Sequence, residues 1–90
     1  MANAGVKQDL TIEQTAMCAT MAVGSEYTNE AARLADKVQP YYENNKKYFT
    51  DIVREIRRLV ELDAQSNGAE LKDEYRRNFH TLCMESNRST

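Results

Sequence analysis

Ninety residues make one domain at most, and a chain this short buries only about 60–65% of its unfolded surface, so its core needs help from a cross-link, a metal or a partner. With 29% charged and 41% hydrophobic residues but only three glycines and one proline, the composition favours long helices and excludes a turn-rich β fold. A net charge of −2 argues against a general nucleic-acid binder, and no apolar run approaches membrane-spanning length.

Residues 1–10 offer no core-forming pattern and read as a flexible lead-in. MANAGVKQDL has neither a basic n-region nor an apolar h-region, so a cytoplasmic, reducing setting is expected. On that ground Cys18 and Cys83 are expected as two free buried thiols rather than a bridge. Thr11 has the capping-box spacing to Gln14 that starts a helix. Ile12, Ala16, Ala19, Val23, Tyr27, Ala31, Leu34 and Val38 then follow helical spacing, which predicts a first helix over 11–39. Its small residues Ala16, Cys18, Ala19, Ala22 and Gly24 suit a tightly packed core helix, and they let another helix approach closely. The spacing falters at Gly24, where a break recapped by Ser25 or Thr28 would divide the helix in two.

Pro40 cannot donate to Asp36 and turns Gln39 away from helical angles, so a corner is expected there, with Pro40 in the first turn of a second helix over 40–64. A single long helix kinked at Pro40 is the alternative. The second helix carries the chain's broadest amphipathic face, and the rest of the fold is expected to organise around it. Tyr42, Asn45, Phe49, Ile52, Ile56 and Leu59 form its stripe, flanked by Tyr41, Tyr48, Val53 and Val60. Asn45 is either a register-fixing polar residue in a seam or a wet residue at the helix start. Asp51–Arg54 and Arg57–Glu61 have ion-pair spacing on the opposite face. AQSNG at 64–68 is a clear reversal, with Asn67 or Gly68 left-handed and an Asn67–Glu70 capping pattern opening the last helix, 69–86. Residues 88–90 are a polar tail. The expected fold is therefore all-α: a small bundle or helical hairpin of three helices, four with the Gly24 break, packed in coiled-coil fashion as one domain over 11–87.

Chemistry is harder to find. His80 and Cys83 lie three apart on one helical face, but a zinc site needs further ligands that the sequence does not supply, so neither a metal nor a cofactor is expected. No nucleophile with a base and an oriented third group is recognisable, and there is no Gly-rich phosphate loop, so an enzyme is not expected. Arg54, Arg57, Arg58, Arg76 and Arg77, interleaved with tyrosines, could clamp a nucleotide or nucleic acid if an oligomer gathered them, although neighbouring acids cancel most of their field. The reading that absorbs most features is a protein–protein interaction module: an adaptor, assembly chaperone or inhibitor. It would self-associate or dock on a partner through Tyr41, Tyr42, Asn45, Phe49, Ile52, Ile56 and Leu59 and through the Ala-rich first helix, without a membrane.

Overall fold

Thr11 starts the first helix as its spacing to Gln14 predicts. Its hydroxyl accepts from the Gln14 amide at 3.0 Å, while its own amide donates to Gln14 Oε1 at 2.9 Å. The computed structural model describes residues 5–85, and among them the helices are α1 (Ile12–Gly24), α2 (Thr28–Tyr42), α3 (Lys46–Asn67) and α4 (Leu71–Cys83). Among the described residues the regular structure is all helical apart from an isolated β-bridge between Val6 and Met84. Of the two readings the spacing allows at Gly24, an unbroken helix or a break, the chain takes the break, but neither Ser25 nor Thr28 recaps it. Tyr27 is the α2 N-cap and makes no side-chain cap bond. Ser25 is fully buried and turns backward, its hydroxyl donating to the Met21 carbonyl at 2.7 Å.

Gly24 has a second reason to be glycine. A Cβ placed there would lie 2.4 Å from carbons of the buried Tyr75 ring, so α1 ends with its backbone against an aromatic face. Gly24→Ala should gain about 1 kcal/mol of helix propensity and lose about 2–3 kcal/mol to overpacking. The expected net loss of stability is about 1–2 kcal/mol, read by chemical denaturation.

Pro40 does not mark the corner. It sits inside α2, two residues before the helix ends, and the reversal follows at residues 43–45. The ring removes one hydrogen bond to Asp36, and both residues are exposed, so water can satisfy that carbonyl. Asn45 closes the turn instead. Its amide donates to the Tyr42 carbonyl at 3.0 Å and its Nδ2 to the Tyr41 carbonyl at 3.0 Å. It is the exposed N-cap of α3.

At the other end α3 runs through the expected reversal to Asn67, and Gly68 takes the left-handed conformation at φ 64°. The Asn67–Glu70 cap does not form; Glu70 is the N-cap of α4 without a side-chain cap bond. Asn67 reaches past it to the buried Glu74 carboxylate at 3.4 Å, which also pairs with Arg77 and lies 3.5 Å from Asn78 Nδ2. That network ties the end of α3 to α4.

The organising element is α1, not the amphipathic stretch that follows Pro40. α1 packs on each of the other three helices, α3 and α4 pack on each other, and α2 rests essentially on α1 alone. The small residues explain this, since Ala16 and Ala22 are almost fully buried and let neighbouring backbones approach. The main core joins Cys18, Met21 and Ala22 of α1 to Leu34, Val60, Tyr75, Phe79 and Cys83. A second cluster joins Ala16 to Val38 and Phe49, with Ile12, Tyr42 and Ile52 against it.

The two cysteines are not free thiols. Cys18 and Cys83 form a disulfide between α1 and α4, with Cα atoms 5.9 Å apart. The expectation of reduced cysteines rested on compartment alone, and spacing cannot say that residues 65 apart meet in the core. Residues 5–10, expected as a flexible lead-in, are also held. Lys7 N–H donates to the Cys83 carbonyl at 2.8 Å, and Val6 and Leu10 pack on the main core. Two isolated apolar residues carry no periodicity, so the sequence does not announce them. Residues 1–4 and the expected tail at 88–90 lie outside the described residues.

Candidate functional site

Because α2 and α3 attach chiefly to α1 and meet each other only where Val38 and Tyr42 pack with Phe49, a groove runs between them with α1 as its floor. Ala16, Ala19, Thr20 and Val23 make that floor, a run of small residues on one face of α1. One wall is Ala31, Ala35, Val38, Gln39 and Tyr42 from α2; the other is Phe49, Thr50, Val53 and Arg57 from α3. The groove encloses about 720 Å³ and follows α1 for about 12 Å, the rise from Ala16 to Gly24. Its ends differ. Phe49, Val38 and Tyr42 close the apolar end, where they belong to the second cluster. Tyr75, Leu71, Arg57 and Glu61 form the other end, beside Gly24.

That second end carries the groove's charges. Burial raises the Tyr75 phenol above its ordinary value; the Arg57 charge pulls it down and the Glu61 charge pushes it up. Tyr75 is therefore a neutral hydroxyl near pH 7. Arg57 and Glu61 do not close the ion pair their spacing allows, whereas Asp51 pairs with Arg54 at 3.7 Å and with Lys47 at 3.0 Å.

The predicted interface residues are divided by the fold. Tyr42 and Phe49 line the groove. Ile52 and Ile56 are half-buried on the other side of α3, where with Met17, Tyr48, Asp51 and Glu55 they line a shallower depression of about 350 Å³. There the Tyr48 hydroxyl donates to Glu13 at 3.1 Å, a bond that raises the Tyr48 pKa. Tyr41 and Leu59 are exposed, and Val60 takes the core position the stripe assigned to Leu59.

The five candidate arginines are not gathered. Arg54 holds Asp51, Arg58 holds Glu55 at 2.6 Å and lowers that carboxyl's pKa, and Arg77 holds Glu74. Arg76 donates to the Ser25 carbonyl at 3.0 Å and lies over the Tyr27 ring, fixing the α1–α2 connection on α4. Only Arg57 of the five faces the groove. His80 and Cys83 are likewise spent elsewhere, His80 on the Tyr27 hydroxyl at 2.8 Å and Cys83 on Cys18.

Sequence reasoning missed Ala31, Ala35 and Thr20 as site residues. A signal was present: Ala31 and Ala35 repeat on α2, at a spacing of four, the small-residue face already recognised on α1. No family model, curated protein or solved structure matches the chain.

Proposed function

We propose that this chain is a non-enzymatic protein-binding module that receives an amphipathic helix of a partner protein in the groove between α2 and α3. The observation that carries the reading is the floor. Ala19 and Thr20 leave room for a further helix axis at the 8–10 Å at which helices pack, and the flanking walls are largely apolar. The occupant would complete a bundle that α1, α2 and α3 leave open. Its length is set by the floor, two to three turns, with apolar residues at i, i+3, i+4 and i+7. Polar groups at one end of it would meet Arg57, Glu61 and the Tyr75 hydroxyl. The nucleotide reading is weaker, because four of the five arginines already hold partners within the chain.

Photo-cross-linking tests this. A benzoyl-phenylalanine at Val23, a strongly exposed residue on the groove floor, is compared with one at Leu82, exposed on α4 and outside the groove. The expected result is a cross-link from position 23 to a partner segment with helical apolar spacing. Ala35→Arg, an exposed wall position, should abolish it without lowering the melting temperature. Cross-links from position 82 alone, or indifference to Ala35→Arg, would overturn the reading. A cross-link to the chain's own α3, where Leu59 and Leu62 are exposed, would replace the partner by a second copy.

A further inference from the structure

We infer that this protein folds and acts in an oxidising compartment, with the Cys18–Cys83 bond a permanent strut rather than a switch. Cys18 and Cys83 are the only cysteines in the chain, so the pairing has no competitor and leaves no spare thiol. Both are buried, Cys83 completely, among Met21, Ala22, Leu34 and Phe79. The covering continues beyond the core. Lys7 N–H donates to the Cys83 carbonyl, and the Val6–Met84 bridge lies over the end of α4. Exchange needs a thiolate to reach one of the two sulfurs, so reductants must wait for the fold to open. A redox-regulated bond would be exposed; this one is sealed.

Formation has a definite chemistry. One cysteine thiolate attacks the disulfide of an oxidised thiol–disulfide oxidoreductase or of oxidised glutathione and forms a mixed disulfide. The second cysteine thiolate then displaces the carrier. Two electrons pass to the carrier, which leaves as two thiols, and the cysteine protons go to solvent and carrier. Such carriers stay oxidised in secretory, periplasmic and extracellular settings and are kept reduced in the cytosol. Size supplies the need for the bond, since ninety residues build only a marginal core. The inference stands on the bond and its burial, without the groove. Its consequence, that the strut keeps the α1 floor and the Tyr75 end in register, rests on the binding reading above.

Thiol trapping tests it on the full chain in its own cells. Cells are quenched in acid, the protein is denatured, and free thiols are alkylated with a maleimide before intact-mass measurement. The expected result is an unlabelled chain, two hydrogen masses below the dithiol. Two maleimides per chain would place the working protein in a reducing compartment and overturn the inference. On purified protein, reductant should act only slowly below the melting transition and should lower that transition by at least about 15 °C. Rapid reduction of the folded protein, or an unmoved transition, would remove the strut. Loss of Val23 cross-linking with both cysteines still paired would count against the groove reading alone.

Discussion

Replacing Cys18 and Cys83 by alanine, or reducing them, is expected to cost about 4 kcal/mol of stability. The bond closes a loop of 65 residues, and the chain entropy it removes from the unfolded ensemble is worth about that much. A domain of this size has a total of roughly 5–13 kcal/mol, so between about a third and four-fifths of the margin depends on one bond. The melting temperature should fall by about 15–30 °C, measured by circular dichroism with and without reductant. A loss below about 1 kcal/mol would mean that α1 and α4 hold together in the unfolded ensemble without the bond.

Phe79→Ala should cost about 3–5 kcal/mol, the largest effect expected of any single side chain. The ring is 1% exposed in the middle of the main core and meets Tyr27 edge-to-face at 5.4 Å. Through Tyr27 and its neighbour His80 it also carries the connection that separates α1 from α2. Truncation leaves a cavity that four helices cannot collapse around, because the disulfide fixes the nearest backbone. Phe49→Ala tests the division into two clusters. It should cost less than Phe79→Ala, because its cluster is smaller and opens onto the groove. Equilibrium urea denaturation reads both, and equal losses would contradict the separation.

Helix content was legible wherever a local signal was unambiguous: the Thr11–Gln14 capping box, the faltering spacing at Gly24 and the left-handed Gly68 all appear where the residues place them. Pro40 misled because its rule concerns the helix interior. In a final exposed turn the missing bond costs little, and the Asn45 side chain closes the corner five residues on. The apolar stripe of α3 also overstated its own importance. A stripe says that a face needs cover, not which helix supplies it, and here Ile56 and Phe49 turn to different clusters on α1. The disulfide pairing and the assembly of the groove from its separate small-residue and aromatic faces were out of reach for a common reason. Both arise from which helices touch, and periodicity within one helix does not contain that.

On the proposed binding mode, an incoming helix lies on the small-residue face of α1. Methyl spectra of alanine-labelled protein, titrated with a peptide copy of the segment cross-linked at Val23, test it most directly. Ala16, Ala19, Ala31 and Ala35 line the groove, while Ala22 and Ala64 are buried elsewhere in the core and Ala32 is exposed outside it. The prediction is that the first four methyl signals shift together on binding and the other three hold still. Binding that moves Ala32 or Ala64 and leaves Ala19 and Ala35 unshifted would contradict it.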